Sequence, residues 1–151
     1  GLILSQCKKA TPEDEVQYNK AVNTTGFTYY QNSNSYLPSS SASGHGEPYF
    51  RVRFNQIAYT ALTDSGRLPT GSVFPEGSIV VKELYDNSNG ALKLIAIMEK
   101  TASNSLAANG WLWSEYKADG KLVVSVNDKG TACTGCHSTN SRDYARLFDL
   151  F

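Results

Sequence analysis

The chain has 151 residues, enough for one domain with a sizeable core, and carries 14 basic and 14 acidic residues. That balance, with no basic cluster, excludes a nucleic-acid-binding surface, which needs concentrated Lys and Arg against phosphate. A hydrophobic fraction of 40% with 11% aromatics excludes a disordered chain, and no stretch has the length of a bilayer span.

Residues 1–10 read as an N-terminal arm and 11–151 as a single domain. In the arm, Leu4-Ser5-Gln6-Cys7 resembles the end of a bacterial lipoprotein signal, although Gln6 departs from the usual small residue. Two readings of Cys7 stay open: a lipidated membrane tether, or a free thiol. Thr11-Pro12-Glu13-Asp14 then opens a helix, with a capping hydroxyl, a proline in the first turn and acids at the positive end of the dipole. The helix should reach about Val22. Residues 31–48, rich in Ser, Asn, Gly and Pro, predict a loop. His45 lies within it and reads as a solvated loop histidine.

Phe50, Phe54, Ile57, Ala58, Ala61 and Leu62 recur every three or four residues, which predicts an amphipathic helix ending near Gly66. Four strands follow, Ser78 to Tyr85, Ala91 to Lys100, Gly110 to Tyr116 and Lys121 to Val126. Asn89-Gly90 and Asp119-Gly120 supply turns between neighbours. A short helix opens after Gly130, and Arg142 to Leu150 is predicted to form another. Helices at both ends of a small antiparallel sheet make an α+β domain.

The chemistry concentrates in Cys133-Thr134-Gly135-Cys136-His137. Cysteines three residues apart can present both thiols to one edge of a porphyrin and form thioethers with its vinyl groups. The adjacent histidine then supplies a nitrogen to the iron. The motif therefore predicts one covalently attached c-type haem, with His137 as proximal ligand. A zinc site would need two more ligands from Cys7 and His45, both distant in sequence. A redox dithiol normally sits early in a βαβ unit, and a disulfide within one helical turn would be strained.

Strand alternation puts Lys82 on the same face as Val80 and Leu84. Two readings compete: a lysine reaching out from an edge strand, or an amine held in a cavity against the haem. The run Leu94-Ile95-Ala96-Ile97-Met98 predicts an apolar wall on the distal side. Met98 could bind iron as a sixth ligand, but a methionine in such a run more often fills core. Trp111 and Trp113 share a strand face and should pack in the core or on the porphyrin.

Phe74-Pro75-Glu76-Gly77-Ser78-Ile79-Val80-Val81-Lys82-Glu83-Leu84, then Gly110-Trp111, then Cys133 to His137 resemble the cytochrome P-460 family, which includes the beta-type cytochromes c′. The resemblance spans about Phe50 to Phe148. It implies a small sheet with flanking helices, a pentacoordinate haem packed on the sheet, and a place in the periplasm or outside the cell. It further implies oxidation of hydroxylamine or nitric oxide, or binding of nitric oxide without turnover, with small molecules and a soluble redox protein as partners. In members that oxidise hydroxylamine, a lysine of the Val-Lys-Glu stretch bonds to the porphyrin edge, and Lys82 matches it. Those members also carry a distal carboxylate on the following strand. Here that stretch, near Leu94 to Ala96, is apolar, and Glu99 comes too late. A plain electron carrier would instead need Met98, Lys82 or His45 as second axial ligand. A homo-oligomer is compatible with everything above.

Overall fold

A computed structural model describes residues 9–41 and 43–151, so Cys7, with the two readings of it, lies outside the described residues. The protein is α+β, built on one open antiparallel sheet of seven strands. These are β1 (Thr28–Tyr29), β2 (Leu37–Pro38), β3 (Tyr49–Phe54), β4 (Ile79–Tyr85), β5 (Leu92–Lys100), β6 (Trp111–Lys117) and β7 (Leu122–Val124). Strands β3 to β7 pair in chain order, and β1 and β2 share the outer edge of β3, one at each end. Helix α1 (Pro12–Val22) covers one face of the sheet. The short helices α2 (Gln56–Thr60) and α3 (Thr134–His137) and two 3-10 turns, Tyr30–Asn32 and Val126–Asp128, complete the regular structure among the described residues.

The four strands expected after Ser78 form within one residue of their predicted bounds, except at the C-terminal end of β7, which stops two residues early. The helix expected from Phe50 does not. Tyr49-Phe50-Arg51-Val52-Arg53-Phe54 is strand β3, and a helix begins only at Gln56. Phe50 and Phe54 are four apart, a spacing that keeps two residues on one side in either conformation. Val52 between them decides for period two. Phe50, Val52 and Phe54 are buried, whereas Arg51 and Arg53 point to the other face, where they meet Tyr85 and Glu83. Asn55 then caps α2, its side-chain oxygen accepting from the Ala58 N–H at 3.0 Å.

The helix expected over Arg142 to Leu150 is also absent. Asp143 and Tyr144 have φ of +48° and +66°, left-handed values that interrupt a right-handed helix. The segment is a chain of turns that buries Ala145, Leu147 and Phe148. The predicted loop at 31–48 is largely irregular, with the two-residue strand β2 inside it.

The two faces of the sheet carry different cores. On one, Tyr18 and Ala21 of α1 pack on Val81, Ile95, Ile97 and Tyr116. On the other, Phe50, Val52, Phe54, Val80, Met98, Trp111 and Trp113 form a larger aromatic cluster with Phe74 and Phe148. Both tryptophans thus sit together in core, as their spacing predicted.

Asp14 fastens α1 to the chain that enters α3. It is fully buried, closes a capping box with Thr11, and accepts from Ser125 Oγ at 2.9 Å and the Val126 N–H at 2.8 Å. Removing it strands two buried donors. Asp14→Ala should therefore lower stability by about 2–4 kcal/mol and Asp14→Asn by less, read from the urea unfolding midpoint at unchanged slope.

Candidate haem site

The register of the sheet builds the site. Val52 faces Lys82, Lys82 faces Ala96, Ala96 faces Glu115, and Glu115 faces Val124, one row across five strands. Residues in such a row share a face, so Lys82 and Glu115 project together with only the methyl of Ala96 between them. Two strand spacings separate their backbones by roughly 10 Å.

Over this row lies a cavity of about 290 Å³, close to the size at which ligand sites begin, joined to an inner lobe of about 60 Å³. His45, Lys82, Glu115, Cys133, His137 and Arg146 line both. The motif cysteine Cys136 borders the larger space. Val52, Phe54, Val80, Ala96 and Met98 wall the inner lobe with carbon, and Met98 also belongs to the buried cluster, as core filling predicts.

The motif is placed by close packing. Gly130 has φ of +68°, and a Cβ there would come within 2.7 Å of Trp113, so only glycine lets the chain cross that ring before turning into Cys133. Cys133 is half-buried, and burial, reinforced by Glu115, pushes its thiol up to about 11. His137 packs edge-on against Trp113, ring centres 5.0 Å apart. Its Nδ1 lies 2.7 Å from the Tyr144 carbonyl oxygen, which can only accept. The proton is therefore on Nδ1, and Nε2 carries the lone pair a metal requires. Burial holds the imidazole pKa down to about 4, so it is neutral at neutral pH.

Lys82 belongs in the cavity and not at a sheet edge, since β4 is paired on both sides. Its Nζ stands 4.5 Å from the centre of the Phe50 ring, and no carboxylate pairs with it among the described residues. Burial, with Arg146 adding to it, lowers the amine to about 8.

Two wall residues, Arg146 and Glu115, were not singled out in the sequence, and a third, His45, was read as a solvated loop residue or an electron carrier's axial ligand. Arg146 lies beyond the motif, in the turns that replace the expected helix. His45 is not a solvated loop residue: its side chain is 20% exposed, and Nδ1 meets Glu115 Oε2 at 3.2 Å. Glu115 provides the carboxylate that β5 lacks, from one strand further along. Glu99 faces away, bound to Lys20 and Gln17 on the α1 side. The wall is consequently mixed, with the carbon of Val52, Phe54, Val80, Ala96 and Met98 beside Lys82, Glu115 and Arg146.

A family model described as Cytochrome P460 matches residues 25–146. The chain belongs to the cytochrome P460 family. Among curated proteins, none matches it. Membership makes this a haem protein, and the residues present fit that group. One cavity gathers two thiols and a neutral imidazole with a defined free nitrogen. Ser39 Oγ, on the same wall, is buried without a partner among the described residues, a gap that a carboxylate on a porphyrin rim would close.

The Tyr144 carbonyl is held in place through its neighbour. Asp143 accepts from Lys100 Nζ at 2.9 Å and from the Phe74 N–H at 2.8 Å, and its carbonyl accepts from Trp111 Nε1 at 2.9 Å. Side-chain exposures of 10% for Lys100 and 6% for Asp143 mark a buried pair. Asp143→Ala should cost roughly 3–5 kcal/mol, because it leaves the lysine charge buried alone, while Lys100→Met with Asp143→Leu should cost less than that single change. Chemical denaturation of both variants, holo and without haem, measures this.

Proposed function

We propose that this cytochrome P460 carries one covalent haem c on Cys133 and Cys136 with His137 as proximal ligand, and that it oxidises a small nitrogen compound, hydroxylamine or nitric oxide, outside the cytoplasm. The observation that carries the reading is the single cavity shared by the motif, Lys82 and Glu115. When bound, the haem supplies an iron that takes the substrate nitrogen and passes its electrons on to a soluble redox protein.

The remaining work falls to side chains. Neutral His137 donates its Nε2 lone pair, and its Nδ1 bond to Tyr144 fixes the ring plane. Hydroxylamine must lose protons as well as electrons, and Glu115 is the carboxylate that faces the cavity to accept them. Lys82, partly uncharged near neutral pH, can use its nitrogen lone pair to bond the porphyrin edge. That bond exchanges one N–H and one ring C–H for N–C, releasing two protons to water and two electrons to the same soluble redox protein. A second reading, a gas-binding protein without turnover, draws on the carbon-walled inner lobe.

Attachment is tested directly. The colour of the wild type should stay with the protein through acidified organic extraction, and Cys133→Ala with Cys136→Ala should release it; haem that extracts from the wild type sinks the proposal. For the catalytic residues, a proteolytic digest should carry the Lys82 peptide together with the haem peptide, and Lys82→Arg should separate them. Glu115→Gln should reduce hydroxylamine-dependent reduction of an artificial acceptor by about a hundredfold or more, the usual worth of a positioned base. A wild type that binds nitric oxide but never turns over hydroxylamine or nitric oxide would favour the gas-binding reading.

A further inference from the structure

We propose that the groove between α1 and the connection 101–110, which joins β5 to β6, binds a primary alkylammonium ion that takes the place of Lys20 on Glu99. The site lies on the α1 face of the sheet, away from the haem cavity, and does not depend on the haem reading.

The groove holds about 350 Å³, within the size range of small-ligand sites. Its walls come from α1, from the end of β5 with the chain that follows it, and from β6. Register keeps it apart from the haem side. Met98 and Trp113 pair across β5 and β6 and belong to the aromatic cluster, while the next pair, Glu99 and Leu112, faces the groove. The far wall is already shaped, since Asn104 Oδ1 accepts from the Leu106 N–H at 2.9 Å within the connection.

The polar end of the groove is incomplete in one definite way. Gln17 is 3% exposed and gives Nε2 to Glu99 Oε1 at 2.9 Å. Its own Oε1 is buried without a partner among the described residues. A buried amide oxygen that accepts nothing costs free energy, so it marks a place where an N–H is missing. The neighbouring cation does not fill it. Lys20 Nζ reaches both oxygens of Glu99 at 2.9 Å but not the Gln17 oxygen.

Lys20 is also replaceable. Its side chain is 40% exposed against 13% for Glu99. An ion pair with one partner so far in water contributes little, because solvent screens it and a long side chain must be held still. An ammonium ion arriving from solvent carries the same three donors without that tether. The Gln17 amide nitrogen and Lys20 Nζ already share Glu99 Oε1, so an ammonium in Lys20's place stands beside the Gln17 amide. It bonds Glu99 as Lys20 does and turns a further N–H to the orphaned oxygen, while Lys20 swings out into water.

The rest of the groove selects the other end of the ligand. Val16, Leu106, Leu112 and Val126 line it with carbon, and Val16 is 51% exposed. Glu13, in the first turn of α1, adds a second carboxylate. Two carboxylates and an unfilled acceptor reject an anion. The apolar side chains favour a short hydrocarbon stem over a bare ammonium ion. That combination describes a protonated primary amine of a few carbons.

The holo protein tests this with n-butylammonium at constant ionic strength, followed by calorimetry and by the side-chain amide resonance of Gln17. The wild type should bind saturably and shift that resonance. Ammonium ion, n-butanol and tetramethylammonium, which has no N–H, should each bind about tenfold more weakly or less. Lys20→Met should tighten n-butylammonium binding about threefold by removing the competitor. Gln17→Leu should weaken it about tenfold, the worth of a hydrogen bond to a charged group, and Glu99→Gln should abolish it. If Gln17→Leu does not fold, the opposite effect of Lys20→Met still decides. Tetramethylammonium binding as tightly as n-butylammonium overturns the inference, and so does n-butylammonium binding that Lys20→Met leaves unchanged. A wild type without a saturable shift overturns it too. None of these readouts involves the haem, so the proposed function is judged separately.

Discussion

The ion pair between Lys100 and Asp143 is the constraint on which the site depends. Burying two charges is costly, and their attraction repays it only when every remaining hydrogen-bonding position is filled. Here Asp143 fills them with the Phe74 N–H and both contacts to Lys100, while its backbone carbonyl takes the Trp111 indole. The pair reaches from the end of β5 to the chain after the haem motif, 43 residues later. It holds two successive residues in left-handed conformations that an L-residue adopts only when forced. In that turn the Tyr144 carbonyl faces His137. The protonation of one imidazole nitrogen is thus set by a charge pair two residues removed from it.

The sheet makes the same kind of connection sideways. A cross-strand row carries no sequence separation of its own, so Lys82 and Glu115, 33 residues apart in the chain, become neighbours on one face with Ala96 between. A larger residue at 96 would fill the space over the row, and the short side chain is what lets a planar group approach the strands. The opposite face is closed by α1, and Asp14 joins that helix to the segment that turns into the motif. One face of the sheet is therefore given to α1, and the other shares the larger aromatic core with the cavity.

Much of this was legible in the sequence and some of it was not, for definite reasons. Strands β4 to β6 alternate or run apolar between turn residues, and their existence follows from local pattern. Cys133, Cys136 and His137 are adjacent, so their chemistry needs no tertiary information. Lys82 stood out because a charge interrupts an apolar face. Glu115 gave no such signal: in Trp-Ser-Glu-Tyr it reads as an ordinary strand carboxylate, and only the register opposite Ala96 gives it a role. His45 was hidden because a glycine-flanked histidine looks the same whether its loop lies in water or folds over a cavity. The helix expected at Arg142 failed because Lys100, far away in the chain, pulls Asp143 into a turn that local propensity does not contain.

Desolvation links the parts of the site more closely than any single bond. A cavity walled by Phe50, Trp113 and the carbon of the inner lobe penalises every charged form inside it. The same penalty lowers His137 to about 4 and Lys82 to about 8, and raises Cys133 to about 11. These are not three separate adjustments. An imidazole must be neutral to ligate a metal, and an amine must be neutral to form a bond to carbon. One desolvating space shifts both groups toward the neutral form. Glu115 lies beside His45 and lines both spaces together with Lys82 and His137. Carbon and polar side chains therefore share one wall, so the penalty that favours neutral donors acts in the same space as the carboxylate that faces them.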